Sequence, residues 1–581
     1  IGAAAWIVGK ALMGRDLRAE MMLLVVWFVF MLAATFTQRR FDYYLVVPAA
    51  VLTGYAVGTI FNRFDLQFDS GNFELYKTLS VAAIVLILVV PMVVGPTTAL
   101  SDSARVGPGN GVQGWSDSLE WMQDHTPEEG LYDDDTQELE YYGTYPRTDN
   151  FDYEPGAYGV LSWWDYGHWI TVQGERIPTA NPHQQGSDSA ANFLLAGNES
   201  EANDVLATMA EDDTENNAKT RYVMVDWKMV HTNSDLNPLQ AGTEVNGKYF
   251  APFQFYEGEI DQQNYYRSLF TERFGGQLRQ FTYRTQNYYD SMSVRLYEFH
   301  GSAVEPQPVV LDWTAREYRG QQLPMTPGED GTAIQFYNSM AAAEEAVAND
   351  STAQIGGIGA NPSERVEALE HYRLIGTSEQ DAAQDLNYRL SQLTTATGAM
   401  LNATVLPPGE TCGTDVTLPL QGGQQYCLSQ GAKDFLHHTS TEWTKVFEHV
   451  PGATVEGSGP ANANVTAFVQ MRNHITNETF TYHQRAQTGD DGEFTMTVPY
   501  STTGYDQWGP AEGRTNVSVR ATGPMQFRTI TVDNGSGSAW GASTDIPEAA
   551  VIGEQTEPIT VELEQSATAG AGAGEDGANS G

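Results

Sequence analysis

The chain has 581 residues, and its 74 acidic side chains outnumber its 31 basic ones, which gives a net charge of −43. A surface this acidic repels the phosphate backbone of nucleic acids, so DNA and RNA are excluded as partners. Hydrophobic residues make up 41% of the sequence and aromatic residues 11%, so the chain can bury sizeable cores. Adaptation to concentrated salt, which screens charge repulsion, therefore explains the acidity better than disorder does.

Four apolar stretches open the chain and predict transmembrane helices. The last three approach the roughly 20 residues that are needed to span a bilayer. A buried core helix is the alternative for any one of them. The first stretch is shorter and starts without an initiator Met, which predicts that the chain is a fragment of a longer protein. The stretches are Ile1–Met13, Met21–Thr37, Tyr43–Ile60 and Leu79–Val94.

Basic residues predict how these helices are oriented, because Lys and Arg in short loops favour the cytoplasm. The loops around the first and third connections hold five basic residues, against two in the second. Everything after Val94 is then extracellular, and Arg39 and Arg40 lie at the outer membrane face. Such a pair can bind the phosphate of a lipid-linked substrate. Alternatively, both side chains simply snorkel to the interface.

The exterior part is predicted to begin with a mixed α/β core domain over residues 97–310, after the membrane segment 1–96. Residues 311–445 are assigned to an intermediate region with helical and mixed patterns. Four segments in these two regions have helical spacing, and one predicts a buried strand. The helical segments are Asn203–Ala210, Tyr265–Phe274, Ser363–Ile375 and Ser378–Leu393, and the strand is Arg221–Asp226.

From about residue 446 the texture changes to short alternating runs separated by Gly, Asn and Asp. This pattern predicts a β-sandwich over residues 446–565. The tail, 566–581, is rich in Gly and Ala and is predicted to be disordered. The alternating runs are Val465–Gln470, Phe480–Gln484, Glu493–Val498, Val517–Ala521, Gln526–Val532 and Ile559–Leu563.

The chain has two cysteines, Cys412 and Cys427. In an extracellular region they can form a disulfide that closes a short loop. The alternative is a pair of unrelated thiols.

The segment Ser162–Ile170 concentrates the chemistry, because Trp163 and Trp164 stand directly before Asp165. A carboxylate and indole N–H groups can hydrogen-bond a small hydroxyl, and indole faces can enclose its methyl group. Such a site would select Ser or Thr, since a side chain without a hydroxyl leaves its polar groups unpaired. The residue types alone favour the alternative, a Trp-rich helix start packed in a core.

The run Trp163-Trp164-Asp165-Tyr166-Gly167 resembles the five-residue signature of oligosaccharyltransferase catalytic subunits. Its continuation, His168-Trp169-Ile170, resembles the archaeal AglB-type form. The resemblance implies a multi-pass membrane enzyme, with its C-terminal part extracellular, that transfers a lipid-linked, dolichol-type glycan to Asn of Asn-X-Ser/Thr acceptors. It also implies that Trp163, Trp164, Asp165, Tyr166 and Gly167 bind the Ser or Thr at the +2 position.

Two further segments extend the resemblance, which covers roughly residues 1 to 300. Family members carry a second motif that supports the +2 pocket, with Asp followed by Lys at +3. Asp226 matches its first position, but Met229 stands at +3 and Lys228 at +2, so either side chain could fill the Lys position. Arg40, with Arg39 beside it, resembles the arginine that contacts the donor pyrophosphate in the family.

The resemblance also implies a Mn²⁺ or Mg²⁺ cofactor and a single-subunit enzyme. The metal ligands of the family are acids in earlier external loops, so they are expected in the missing N-terminal part and none is assigned here. The fragment would then supply acceptor recognition and part of the donor site, and would be inactive alone.

The overall prediction is a multi-domain membrane protein with late transmembrane helices, a mixed α/β domain and a β-sandwich. The competing hypotheses are a non-catalytic, membrane-anchored surface protein that binds glycans or the cell envelope, and an unrelated lipid-linked glycosyltransferase.

Overall fold

The structure, a computed structural model, divides the chain into two compact units, Ile1–Gly109 and Asn110–Gly581. The residues that it describes are 2–14, 18–38, 41–63, 110–131, 156–211, 219–230, 248, 251–273, 277–326, 333–380, 404–406, 416–419, 425–428, 442–533 and 536–565.

The first unit consists, in its described part, of the helices α1 (Gly2–Leu12), α2 (Ala19–Thr37) and α3 (Asp42–Arg63). They confirm the helical nature of the first three predicted stretches, whereas Leu79–Val94, Arg39 and Arg40 lie outside the described residues. Among the described helices, α2 is long and apolar enough to cross a membrane, with a mean hydropathy of 2.1. The helices pack on one another through a small apolar cluster of Ala4, Ile7, Val25, Phe28 and Leu52.

The second unit combines short helices with several β-sheets. Its described helices are α4 (Asn110–His125), α5 (Gly167–Val172), α6 (Ser187–Leu195), α7 (Glu199–Glu211), α8 (Gln286–Asp290), α9 (Met292–Tyr297), α10 (Met340–Ala348) and α11 (Glu548–Val551). The strands of its first part are β1 (Tyr158–Leu161), β2 (Ile177–Pro178), β3 (Lys219–Asp226), β4 (Tyr266–Arg273), β5 (Gln277–Arg284), β6 (Val309–Asp312), β7 (Thr314–Tyr318), β8 (Gln321–Met325), β9 (Ile334–Phe336), β10 (Ala353–Ile355) and β11 (Tyr372–Thr377). The later strands are β12 (Thr404–Leu406), β13 (Val416–Pro419), β14 (Gln425–Leu428), β15 (Thr444–His449), β16 (Ala453–Ser458), β17 (Asn464–Asn473), β18 (Thr479–Gln487), β19 (Glu493–Val498), β20 (Val519–Ala521), β21 (Met525–Asp533), β22 (Ser536–Thr544), β23 (Ile559–Glu562) and β24 (Glu564–Gln565).

A mixed five-stranded sheet in the order β11-β15-β3-β1-β2 forms the centre of this unit. Strands β1, β2 and β3 run parallel, whereas β15 is antiparallel to both β3 and β11. The end of β3 is a continuous apolar run, and Tyr222, Val223, Met224 and Val225 are all 0% exposed. Such a run is typical of a strand covered on both faces of its sheet. The predicted strand Arg221–Asp226 is therefore confirmed, and so is the helix predicted over Asn203–Ala210, which lies inside α7.

Two of the predicted helices are wrong. Tyr265–Phe274 contains strand β4, which pairs over its whole length with β5 in an antiparallel hairpin. Ser363–Ile375 contains no helix, because Val366 bridges to Val304 and the segment then enters β11. In both cases hydrogen bonding to a partner strand overrides the helical periodicity of the local sequence. Most of Ser378–Leu393 lies outside the described residues.

The C-terminal part is rich in β-structure and forms two sheets. One has the order β19-β16-β23, and the other has β18-β17-β21-β22-β24, with β20 also paired to β17. All six predicted alternating runs contain strands, which are β17, β18, β19, β20, β21 and β23. Alternation along β17 buries one of its faces, and the rings of Phe494 and Phe527, one from each sheet, lie 6.4 Å apart. The predictions missed β16, β22 and the two-residue strand β24.

A buried ion-pair network, here called the seam, links the central sheet to the C-terminal part. Arg373 of β11 bonds to Glu448 of β15 at 2.7 Å and to Glu548 of α11 at 2.7 Å. All three side chains are almost fully buried. Two hydroxyl groups from the C-terminal part also donate to these carboxylates, from Thr515 to Glu448 and from Ser501 to Glu548.

Two predictions about other segments remain untested. Cys427 lies in β14, between β12 and β13, whereas Cys412 lies outside the described residues. The predicted disulfide therefore stays a prediction. The tail 566–581 also lies outside the described residues.

Candidate acceptor-binding site

The Trp-rich segment forms a tight turn at the end of β1. Ser162 follows the strand and donates a hydrogen bond to the carbonyl of Met224 at 2.8 Å, which ties the start of the turn to β3. Trp163 is extended, and Trp164–Tyr166 form one turn of 3₁₀-helix that leads directly into α5. We call Trp163–Gly167 the acceptor turn, after the role that the resemblance implies for it. The sequence alternative of a Trp-rich helix start is thus correct as a description of its local structure.

Gly167 ends the acceptor turn, and the closeness of its neighbours explains the missing side chain. Its backbone is ordinary right-handed helix, so no special φ angle requires a glycine. A Cβ atom at this position would lie 2.3 Å from the carbonyl oxygen of Ala180 and 2.7 Å from the Cα of Asn181. Since real Cβ atoms do not come so close to backbone atoms, any larger residue would push the turn away from the following segment.

The side chains of the acceptor turn differ in exposure in a way that suits a binding site. Trp163 and Tyr166 are buried, Trp164 is half-buried, and the Asp165 side chain keeps 37% of its surface. The indole N–H groups of Trp163 and Trp164 are buried and donate to no described atom. Buried polar groups are normally hydrogen-bonded, so two free donors beside an accessible carboxylate are a feature to be explained. A ligand hydroxyl is a partner of the right kind.

Asp226 connects the second predicted motif to the acceptor turn. It is 0% exposed and caps the 3₁₀ turn Trp227–Met229, where its Oδ1 accepts from the backbone N–H of Met229 at 3.2 Å. Its Oδ2 accepts from the hydroxyl of Tyr166. Burial, and after it the charge of Asp226, raises the pKa of Tyr166 well above its usual range, so the hydroxyl stays protonated and donates. The structure therefore brings Tyr166 and Asp226 together, as the resemblance implied.

Met229 and Lys228 lie in different environments within the same short turn. Met229 is 2% exposed and belongs to the core, with its N–H bound to Asp226. The Nζ of Lys228 lies over the ring of Trp443, 5.2 Å from its centroid, and 5.9 Å from that of Trp227. Lys228 thus packs on aromatic rings just after β3 and just before β15, whereas Met229 is the residue held by Asp226.

Three residues at this site were missed in the sequence. Phe255 packs edge-on against Trp163 at 5.5 Å and Trp164 at 6.3 Å, and so forms a third aromatic wall. Lys248 makes an ion pair with Asp165 at 3.1 Å and lies 3.6 Å from the centroid of the Tyr166 ring. Trp115 of α4 stacks on Tyr166. The cluster of Pro and aromatic residues around Phe255 was a usable signal, but nothing near Lys248 or Trp115 in sequence marks them.

The described residues offer no obvious metal site. Among them there is no group of three or more His, Cys, Asp or Glu side chains placed to hold an ion. His168 and His183 lie 5.8 Å apart, ring to ring, as an isolated edge-on pair. The part of the site that the structure describes provides binding groups for a polar ligand.

Comparison with known proteins places these features in one class, the archaeal protein glycotransferases. Two family models match the chain: the AglB core domain over residues 112–230 and the archaeal glycosylation protein B long peripheral domain over residues 452–556. The dolichyl-monophosphooligosaccharide–protein glycotransferase AglB of Haloferax volcanii is 42% identical over 97% of this chain and 51% of its own length. The dolichyl-phosphooligosaccharide-protein glycotransferase 3 of Archaeoglobus fulgidus is 28% identical over 50% of this chain and 34% of its own length.

The chain belongs to the archaeal AglB-type oligosaccharyltransferase family. It spans about half the length of the Haloferax relative. Among solved structures, the Archaeoglobus fulgidus oligosaccharyltransferase tethered to an acceptor peptide with an NVT sequon is similar, with 21% identity and a TM-score of 0.49. That match covers 97% of this chain and 56% of the other. The first family model contains the acceptor turn, Asp226 and Met229, and the second covers most of the β-rich C-terminal part.

Proposed function

We propose that this chain is the acceptor-binding part of an enzyme that transfers a lipid-linked oligosaccharide to Asn of Asn-X-Ser/Thr acceptors. The observation that carries the proposal is the pair of unpartnered indole N–H groups, of Trp163 and Trp164, beside the accessible carboxylate of Asp165. The family assignment supports the activity, since the relatives are named as dolichyl-linked glycotransferases. No described feature favours the alternative of a non-catalytic surface protein.

The acceptor turn would recognise the hydroxyl of the +2 Ser or Thr from both sides. The carboxylate of Asp165 accepts a hydrogen bond from the hydroxyl group, and an indole N–H donates one to the hydroxyl oxygen. The aromatic walls of Trp163, Trp164 and Phe255 exclude water and contact the Thr methyl group. Tyr166, Gly167, Asp226 and Met229 hold the turn against the core. Fixing the +2 residue in this way would orient the acceptor Asn toward the glycan. This orientation would lower the entropic part of the barrier to transfer.

The donor side of the proposal is carried by sequence alone. Arg40, with Arg39 beside it, would bind the phosphate of the lipid-linked donor and neutralise the charge of the leaving group. Membrane attachment through α2 and its neighbouring helices fits a lipid-linked substrate, with the second unit extracellular. Mn²⁺ or Mg²⁺, held by acidic side chains, would supply charge stabilisation when bound. We further propose that one polypeptide suffices for activity.

The test uses the full-length protein in membranes, with a lipid-linked donor and labelled acceptor peptides. Asp165→Asn removes the charged acceptor of the hydroxyl hydrogen bond, which is worth about 1.5–3 kcal/mol. We expect kcat/KM for an Asn-X-Thr peptide to fall by about 10- to 100-fold. Asp204→Asn, at an exposed position of α7, is the matched control and should leave transfer unchanged. Equal transfer by Asp165→Asn and wild type would reject the assignment, as would equal use of Asn-X-Thr and Asn-X-Ala peptides by the wild type.

A further inference from the structure

Trp115 lies in the middle of α4 and reaches into the buried side of the acceptor turn. It is 0% exposed. Its Nε1 donates a hydrogen bond to Oδ2 of Asp226 at 3.1 Å, and its ring stacks on Tyr166 with centroids 4.0 Å apart and planes inclined by 23°. Trp169 of α5, the helix that follows the acceptor turn, packs edge-on against Trp115 at 6.0 Å. One side chain thus touches both residues that join the two motifs.

Asp226 is the point at which three separate segments meet. Oδ2 accepts from Trp115 of α4 and from the Tyr166 hydroxyl of the acceptor turn, while Oδ1 accepts from the N–H of Met229. These partners are 111, 60 and 3 residues away in sequence. Because a hydrogen bond weakens steeply when it bends, donors fixed from several directions allow the carboxylate and the turn only one orientation.

Helix α4 is itself held firmly where Trp115 projects. The Thr444 hydroxyl donates to the carbonyl of Gly114 at 3.0 Å and also bonds to the hydroxyl of Ser118. A Cβ atom at position 114 would lie 2.3 Å from the ring of Trp443, so only glycine lets the helix approach β15 this closely. Thr444 is also the register partner of Asp226 across β15 and β3. The donor and the acceptor of the Trp115 hydrogen bond are therefore fixed to the same pair of strands.

We propose that Trp115 is a positioning residue for acceptor recognition, acting through Asp226 and Tyr166 on the acceptor turn. Its N–H fixes the Asp226 carboxylate, and its ring fixes the plane of Tyr166, which stands next to Asp165. The inference depends on the proposed function, since it names what sets the geometry of that same site. Trp115 does not touch the acceptor; it determines the orientation of the residues that do.

Trp115→Phe tests this role, because phenylalanine keeps an aromatic ring for stacking but has no N–H. In the full-length protein we expect the KM for an Asn-X-Thr peptide to rise about tenfold, the size expected for one lost hydrogen bond. The donor KM and kcat should stay within about twofold. A residue that only stabilises the fold would lower the active fraction, and with it kcat, at unchanged KM for either substrate.

Trp121→Phe is the matched control on the same helix. Its Nε1 donates to Ser518 at 2.8 Å and its ring stacks on His125 at 4.8 Å, so the substitution removes a comparable hydrogen bond away from the turn. The control should leave the acceptor KM unchanged. Trp115→His, which retains a ring N–H donor, should recover part of the loss.

The outcomes separate the two proposals. If the wild type transfers glycan and Asp165→Asn impairs it, but Trp115→Phe has a normal acceptor KM, only the inference about Trp115 is overturned. An equal rise of the acceptor KM in Trp115→Phe and Trp121→Phe overturns it as well. If neither Trp115 variant can be recovered folded, packing alone accounts for the residue and the inference fails. A wild type that transfers nothing, with donor and metal supplied, instead contradicts the proposed function.

Discussion

The seam and the acceptor turn are both built around buried carboxylates, but their partners differ. In the seam, the Arg373 guanidinium lies between Glu448 and Glu548, so three formal charges form the centre of the network. At the acceptor turn, the single carboxylate of Asp226 accepts from an indole, a phenol and a backbone amide, all of them neutral. Both networks are excluded from solvent and both join segments that are distant in sequence.

The charged partners in the seam and the neutral partners of Asp226 suit the two networks to different roles. Attraction between opposite charges falls off slowly with distance and tolerates changes of angle, so the seam holds two parts of the molecule together. Neutral hydrogen bonds depend strongly on direction, so the acceptor turn is held in one orientation. Breaking the seam should therefore affect stability most, and breaking the network of Asp226 should affect binding most.

The largest effect is expected for Arg373→Met. The substitution leaves the carboxylates of Glu448 and Glu548 buried without their cation, and an uncompensated buried charge costs about 3–5 kcal/mol. The free energy of unfolding of the second unit should fall by that amount in chemical denaturation. Arg485→Met is the control, because Arg485 pairs with the accessible Glu305 at 2.9 Å and such surface pairs contribute less than about 1 kcal/mol. Similar losses for the two variants would contradict the comparison.

Asp226→Asn should have a smaller effect on stability, of about 1–3 kcal/mol. The amide keeps one oxygen for a donor, and the hydroxyl of Tyr166 can turn round to accept from the new amide group. The indole of Trp115 has no such freedom, because its N–H can only donate. We expect acceptor affinity, measured as KM for an Asn-X-Thr peptide, to fall more than tenfold in this variant. A loss of stability as large as that of Arg373→Met would show that the two networks act alike.

Acid should weaken the sheet on the seam side. Burial, followed by the positive charges of His371 and Arg221, lowers the pKa of His449 to about 4 from an ordinary 6.5. Between these values the unfolded chain binds a proton that the folded chain does not, so stability falls as the pH drops from 6.5 to 4. The slope for one such group is at most about 1.4 kcal/mol per pH unit.

The measurement is the difference in unfolding free energy between wild type and His449→Gln at several pH values. This difference is needed because burial raises the pKa of Glu129 to about 7, which gives a slope of opposite sign between pH 4.5 and 7. Since both proteins contain Glu129, its contribution cancels. A difference that does not change from pH 7 to pH 4.5 would contradict the assignment to His449.

The smallest effect is expected for Lys248→Gln, at the accessible side of the acceptor turn. The ion pair of Lys248 with Asp165 is partly exposed, with 27% and 37% of the side chains accessible. Its removal should cost less than about 1 kcal/mol, and the loss should shrink as salt screens the pair. Unfolding in low and in molar salt measures both quantities. A loss above 2 kcal/mol, or one that is independent of salt, would show that this pair stabilises the fold as the buried ion pairs of the seam do.

Prediction from the sequence succeeded where the local pattern and the fold agree. The strand at Arg221–Asp226 and the alternating runs after residue 446 are strands, because burial of one or both faces leaves a period that is visible in the sequence. The helices predicted at Tyr265–Phe274 and Ser363–Ile375 failed, because a partner strand elsewhere decides between helix and strand for such segments. No local pattern reports that partner.

The sequence by itself determined the family, through Trp163-Trp164-Asp165-Tyr166-Gly167, and it predicted that Asp226 and Met229 support this turn. These are short motifs that can be recognised from their residue types without knowledge of the fold. Only the tertiary structure showed that Asp226 binds Tyr166, and that Trp115, 111 residues before Asp226, donates to the same carboxylate. It also placed Arg373 between two buried glutamates. Such contacts depend on how strands and helices distant in sequence pack together, and residue order alone does not specify which of many polar side chains will meet.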